Sequence, residues 1–454
     1  MIGLNKIGLN QVQLNRLRLN APFPTCREMA GGGGSGDGFP QLPGDVTRWY
    51  FGGLTNEMMA AMDDPRIEDA DHKGRFLSFK NFAWKEGSGI SDVYPGALVF
   101  DGVDDWAGCD NLPLLPKEKG YSIIALRNWI TRSDATQYKR PLISNLDTND
   151  EGAFLIEYRK DENVNDVTGS YNSFTDVYID DNNPITWQTS SSYNGQIIKK
   201  GTSKSTNKLC ICKTYFGQLS NYANAAILEI VILDHDATEE ELTKIKDYFV
   251  KTYPWLFPDQ TWTVTGKTNE DEDRATIANI TSNGNDLVLS NFGFIEGSGY
   301  NEQGEYAGYL VTDGVDDKIV SSVFGMGKDF TIVGDWKLIN TGKNDNAGIV
   351  KFDSIVIYNY NPILINIKNG RNNLIPDQNT VNAICSDGRI YSKDWKESIY
   401  NEETESTSKN LLTIGYSGNI YTKIAFKNLA IYPTVLSKED CIKAYNYLQT
   451  LKAK

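Results

Sequence analysis

Beyond residue 45 the apolar residues of this chain come in short runs that alternate with polar positions, as in "DLVLSNFGF", "GYLVTDG", "DFTIVGDWKLI", "SIVIYNY" and "LLTIGYSG". The runs are bounded by Asn, Gly, Asp or Ser. A period of two with regular turn signals predicts antiparallel strands stacked as a sandwich. Two later segments switch to helical spacing. One carries Leu242, Ile245, Tyr248 and Phe249, and the other Ile442, Tyr445 and Leu448. Thr238 with Glu241, and Ser437 with Asp440, stand where a capping hydroxyl and its partner acid belong, so a short helix is predicted after the last strand in each case.

The first twenty residues follow neither period. In "IGLNKIGLNQVQLNRLRLN" the apolar positions are Ile2, Leu4, Ile7, Leu9, Val12, Leu14, Leu17 and Leu19, spaced alternately by two and three. That spacing argues against an amphipathic helix, and the interleaved Asn, Lys, Gln and Arg break the apolar core of a signal peptide. It predicts an extended segment with a turn near each Asn, docked on its own copies or on another protein through strand pairing. Residues 1–29 are therefore read as an extended anchor. A linker over 30–48 follows, opened by the Gly-rich "AGGGGSGDG".

The rest of the chain is an internal repeat. "WYFGGLTNE" at 49–57 returns as "WTVTGKTNE" at 262–270, "NFAWKEGSG" at 81–89 as "NFGFIEGSG" at 291–299, and "ALVFDGVDDW" at 97–106 as "YLVTDGVDDK" at 309–318. Three matched blocks in one order define two copies of one domain, over 49–257 and 258–454, with almost no linker between them.

Composition narrows the partners. A formal charge of −14 at pH 7 argues against nucleic acid, whose phosphates are held by clustered Lys and Arg. No run of about 20 uncharged apolar residues is present to insert into a membrane. Gly 40, Tyr 24 and Trp 9 fit a turn-rich, aromatic β protein. The six cysteines are scattered. Alternation in "KLCICKTYF" predicts that Cys210 and Cys212 share one face of a strand; with only His72 and His235 as imidazoles, buried free thiols are expected rather than a zinc site.

Candidate chemistry concentrates in the repeated "DGVDD". Asp101, Asp104 and Asp105, and likewise Asp313, Asp316 and Asp317, are ordinary turn formers first and calcium ligands second. No catalytic residue is nominated. Neither histidine recurs in the other copy, which leaves no material for a Ser-His-Asp site, and no "E-x-D-x-E" strand is present for glycoside hydrolysis. No cofactor other than calcium is indicated. Trp106, Trp129, Trp187, Tyr300, Tyr309 and Trp395 are candidate sugar-stacking platforms, although packing is the commoner use of each.

The "DGVDD" turn after a strand, the ending "LAIYPTVLSKED", and the repeat length resemble the concanavalin A-like, laminin G-type jelly roll. The paired form opening "WTVTGKTNEDEDRATI" resembles proteins of bacteriophages of gut bacteria, including crAss-like phages, in which such domains occur in virion fibres and tail appendages. The resemblance implies a mostly β chain of two tandem antiparallel jelly-roll sandwiches, each ending in a short C-terminal helix, behind an extended N-terminal anchor. It further implies a non-enzymatic structural protein on the exterior of a virion. That protein would be a homo-oligomeric head or tail fibre, held to capsid or tail proteins by its N-terminus and displaying domains for host or environmental polysaccharide. The alternatives are a bacterial carbohydrate-binding surface protein and, behind it, a polysaccharide-degrading tailspike. The first copy departs from the pattern at "NEMMAAMDDPRIEDADHKGRF", where the second has "NEDEDRATIANITSNGNDL", so unequal ligand binding by the copies is expected.

Overall fold

The computed structural model describes residues 38–115, 117–130, 140–147, 152–158, 175–178, 183–191, 196–199, 206–217, 221–281, 284–325, 327–339, 348–352, 355–358, 363–367, 371–375, 381–399, 411–417 and 420–453. The eight anchor positions from Ile2 to Leu19, Cys26 and the Gly-rich tract up to Asp37 lie outside them. The chain divides into two compact units, Met1–Tyr248 and Phe249–Lys454.

Unit 1 contains β1 (Val46–Tyr50), α1 (Asn56–Ala60), β2 (Arg66–Glu68), β3 (Phe76–Lys80), β4 (Gly89–Ile90), β5 (Leu98–Asp101) and β6 (Trp106–Cys109). It continues with β7 (Ser122–Trp129), β8 (Arg140–Ser144), β9 (Phe154–Tyr158), β10 (Thr175–Tyr178), β11 (Ile185–Thr189), β12 (Gln196–Lys199), β13 (Leu209–Ile211) and β14 (Asn224–Leu233). The helix α2 (Glu239–Thr252) carries the chain across the division. One sheet runs β11-β7-β14-β5-β4, with β1 also on β14; the other runs β12-β10-β9-β8-β13-β6-β3-β2. Among the described residues the named strands pair antiparallel except β9 with β10.

Unit 2 repeats the plan. Its first strands are β15 (Gln260–Thr263), β16 (Thr276–Ile277), β17 (Leu287–Ser290), β18 (Gly299–Asn301), β19 (Tyr309–Val311), β20 (Lys318–Ser321) and β21 (Thr331–Leu338). There follow β22 (Gly348–Phe352), β23 (Ile355–Tyr358), β24 (Ile363–Ile367), β25 (Arg371–Ile375), β26 (Val381–Cys385), β27 (Arg389–Ser392) and β28 (Glu397–Ile399). The last are β29 (Thr413–Ile414), β30 (Tyr416–Ser417), β31 (Ile420–Tyr421), β32 (Ile424–Tyr432) and the helix α3 (Lys438–Thr450). The sheets run β18-β19-β32-β21-β26-β27-β28, with β15 on β32, and β16-β17-β20-β29-β22-β23-β24-β25.

In each unit the two sheets meet over a large apolar core. Phe100, Ile123 and Ile232 from one sheet of unit 1 pack with Phe79, Phe154 and Ile211 from the other, and Ile332, Trp336 and Leu429 do the same with Ile319 and Ile414 in unit 2. Each fully buried large apolar side chain contributes about 1.5–3 kcal/mol. The central strand of each copy carries a bulge at the same step, where Leu228 or Lys427 is the extra residue. Parity therefore switches along the strand: Ala225 and Ile227, then Ile230 and Ile232, all face the core, as do Ile424 and Phe426, then Leu429 and Ile431. The outer face of β14 is buried too, which is why "AAILEIVIL" is apolar at every position but Glu229.

Matching sequence blocks form matching contacts. Trp49 and Trp262 are fully buried and donate their indole N–H to the carbonyls of Arg75 (3.1 Å) and Asn285 (2.7 Å). The Asn of each "TNE" clamps the backbone beyond "GSG" at two points. Asn56 Nδ2 donates to the Ile90 carbonyl and its Oδ1 accepts the Ile90 amide, both at 2.8 Å; Asn269 does the same to Tyr300, again at 2.8 Å. Gly89 (φ 148°) and Gly299 (φ 157°) are required there, because a Cβ would lie 2.3 Å or 2.5 Å from the clamping Oδ1.

Both capping pairs form. Thr238 Oγ1 donates to Glu241 Oε2 and accepts the Glu241 amide, and Ser437 Oγ stands in the same relation to Asp440. One expectation fails. Cys210 and Cys212 do not share a face: the strand ends at Ile211, and Cys212 takes φ 57°, which turns its side chain into the core beside Leu209 and Ile211 while Cys210 stays outside that cluster. The five cysteines among the described residues are free and buried.

Candidate functional site

The acidic turns carry the chain from β5 to β6 and from β19 to β20, crossing from one sheet of the sandwich to the other, and the structure brings all three carboxylates of each together. One oxygen from each of Asp101, Asp104 and Asp105 lies within 4.8 Å of the others, and the same holds for Asp313, Asp316 and Asp317. The turn explains much of this convergence. Asp101 Oδ1 accepts the amides of Val103 (2.8 Å), Asp104 (3.2 Å) and Asp105 (3.3 Å), and Asp105 Oδ2 accepts the amide of Asp101 at 3.1 Å. Asp313 and Asp317 repeat the set at 2.7–3.4 Å. This is Asx-turn chemistry, closed from both ends.

The third acid of each turn is the unusual one. Asp105 and Asp317 are fully buried, and their Oδ1 atoms make no hydrogen bond of normal geometry. Burial pushes both carboxyls up to about 6; the Ser88 and Ser298 hydroxyls and the backbone amides hold them back, and the neighbouring Asp pair adds to the rise. Calcium takes six to eight oxygens at about 2.3–2.6 Å. The oxygen spacing fits that shell, so Asp101, Asp104 and Asp105, or their counterparts, are the residues that would hold a cation. Two of the three acids in each set already hold the turn through one oxygen.

A second loop is bonded to each turn. Asn81 and Asn291, with φ 70° and 69°, donate Nδ2 to the carbonyls of Asp104 (2.9 Å) and Asp316 (3.0 Å). In the first copy this loop stacks Phe82 on Trp84, with ring centroids 4.9 Å apart at 18°; in the second, Arg274 lies 5.1 Å over Phe294.

The copies part where the chain leaves the turn. In unit 1 the next residue is Trp106, half-buried, meeting Phe216 edge-on at 5.6 Å, with the ammonium of Lys213 4.0 Å over its ring. Both rings lie across Gly108, where a Cβ would come within 2.6 Å of Trp106 and 2.9 Å of Phe216. Lys208 adds a second cation 4.9 Å over Phe216. In unit 2 the equivalent residue is Lys318, 5.9 Å over the ring of Tyr416.

Of the other aromatics proposed from sequence, Tyr300 and Tyr309 are buried, donating their hydroxyls to the Arg274 carbonyl (2.7 Å) and to the Asp335 carboxylate (3.0 Å). They are packing residues. Trp187 is half-buried, as is Trp395, which leans on Tyr391 and Tyr445; the side chain of Trp129 lies outside the described set. Sequence reading missed Gly108, Lys213 and Phe216, whose only signal was the "WAGC" strand with Gly two residues after Trp. Both histidines are engaged: His72 Nδ1 is 3.4 Å from Glu68, and His235 lies between Asp234 (3.3 Å) and the cap acid Glu241 (3.1 Å).

No family model matches the chain, and no curated protein sequence does. Among solved structures, the receptor-binding domain of botulinum neurotoxin mosaic serotype C/D is similar at 11% identity over 41% of this chain and 50% of that one, with TM-score 0.31. Trypanosoma rangeli sialidase in complex with sialic acid is similar at 9% identity over 84% of this chain and 67% of that one, with TM-score 0.31. The botulinum neurotoxin type G receptor-binding domain gives 13% identity over 41% and 50%, with TM-score 0.26. The chain thus spans about half the length of the neurotoxin domains it matches.

Proposed function

We propose that this chain is a structural protein of a virion exterior, a head or tail fibre held by its N-terminal segment, whose first sandwich binds surface polysaccharide without turnover at Trp106. The observation that carries the binding reading is the Trp106–Phe216 pair laid over Gly108 beside the acidic turn. Pyranose rings present C–H faces that stack on an indole, while their hydroxyls take hydrogen bonds from flanking polar groups, and the half-buried cation Lys208 beside Phe216 suits an acidic sugar. The virion reading is supported by the Leu-Asn ladder ahead of a Gly-rich tract and two copies of one sandwich, an order that suits an anchor followed by displayed domains.

The test is calorimetric titration of the full chain with polysaccharides extracted from bacterial surfaces. Binding is expected to weaken about tenfold in Trp106→Ala, the loss of one stacking partner worth about 1.5 kcal/mol. The same titration with Lys318→Ala should show no change. Absence of binding to every acidic polysaccharide, or equal affinity in Trp106→Ala, sinks the assignment.

A further inference from the structure

Cys385 ends β26 and lies under the start of α3. Its Sγ lies 3.7 Å from the Thr331 hydroxyl oxygen and 4.0 Å from the Leu436 carbonyl oxygen, one residue before the Ser437 cap. Cys441 is in the first turn of α3, its amide donating to the Ser437 carbonyl at 2.9 Å. This packing sets the two thiols beside each other. Both residues are fully buried and neither is disulfide-bonded.

The internal repeat supplies a control. Thr189 pairs with Ser122 as Cys385 pairs with Thr331, and Ser122 and Thr331 donate to the equivalent carbonyls of His235 and Thr434. Leu242 follows its cap Thr238 by four residues, as Cys441 follows Ser437. The first copy thus fills these positions with Thr and Leu, and the second replaces both, far apart in sequence, with cysteine. Arg389 donates Nη2 to the Leu436 carbonyl at 3.0 Å, which holds a guanidinium beside Cys385. The neighbouring Cys441 thiol and this charge make Cys385 the more acidic of the two, and Cys441 is pushed up.

We propose that Cys385 and Cys441 are a cystine site that a peroxide closes, tying α3 to β26. Cys385 attacks the peroxide, whose O–O bond breaks, giving a sulfenic acid and one water; the Cys441 sulfur then attacks that sulfur, forming the S–S bond and releasing a second water. Two thiols and one hydrogen peroxide thus become one disulfide and two waters.

The experiment treats the reduced full chain with hydrogen peroxide at neutral pH, followed by intact mass, non-reducing peptide mapping and a thermal melt. A loss of about 2 Da is expected, with one linked peptide joining Cys385 and Cys441. The upper melting transition should rise by about 5–10 °C and fall back on reduction. The double variant Cys385→Thr with Cys441→Leu restores the residues of the first copy, so it should fold and show neither the linked peptide nor the rise. Two free thiols at these positions after treatment, overoxidation in place of a linkage, a bridge to another cysteine, or a persistent rise in the double variant would each overturn the proposal.

Discussion

Asp105 and Asp317 each place one carboxylate oxygen on a backbone amide and bury the other without a well-formed bond. Their carboxyls are raised from 3.8 to about 6, chiefly by burial. Between those values the folded protein holds more protons than the unfolded chain, so stability falls as pH rises through the window and stays at the lower level above it. Each turn costs about 2–3 kcal/mol at pH 7 on this account. In Asp105→Asn the amide oxygen keeps the bond from the Asp101 amide and no charge is buried. Urea unfolding at pH 7 is expected to show a gain of about 1–2 kcal/mol and a flatter pH dependence over the same window. A loss of that size, recovered by calcium only in the parent protein, would assign the carboxylates to a cation instead. Gly108 makes the companion point about space: the ring edges of Trp106 and Phe216 come this close to the strand only because no Cβ stands there.

At the scale of elements, the repeated motifs are joints between segments distant in sequence. The Asn56 side chain replaces a missing strand partner for Ile90 with one donor and one acceptor, and Asn269 does so for Tyr300. Substitution by Ala leaves a part-buried amide and carbonyl unpaired, so Asn56→Ala and Asn269→Ala are each expected to cost about 2 kcal/mol in urea unfolding. A cost under about 0.5 kcal/mol would mean that water replaces the clamp. "TNE" and "GSG" could be seen to recur in the sequence. That they bond to each other could not, because the contact depends on the path of the strands between them.

The two copies share a scaffold and differ in what they lay upon it. Beneath α2 the outer face of unit 1 holds a buried ion pair, Arg48 with Glu229 at 3.5 Å, bridged by Tyr248. Unit 2 replaces it with Asn428 and an Asp335 carboxylate that takes the hydroxyls of Tyr309 and Tyr445. Trp106 faces Lys318 in the comparison, and Thr189 and Leu242 face the cysteine pair. Such divergence on a common frame suits the proposal that the first sandwich binds polysaccharide while the second has another task. For the whole chain, the proposed anchoring role is tested by light scattering of the full protein beside a form lacking residues 1–38. A discrete oligomer that becomes a monomer on truncation is expected; equal masses would remove self-assembly from the proposal.

The sequence by itself determined the architecture: period-two runs, turn residues and two capped helices are local signals, and duplication made each visible twice. The acidic turns were legible for the same reason, since an Asx turn is settled within five residues. The tertiary structure alone decided which of the three acids is buried, that Cys212 turns inward at a positive φ, that Trp106 and Phe216 share a glycine, and that Cys385 meets Cys441. Each depends on close packing of segments far apart along the chain, where a shift of one ångström or one strand register exchanges one neighbour for another.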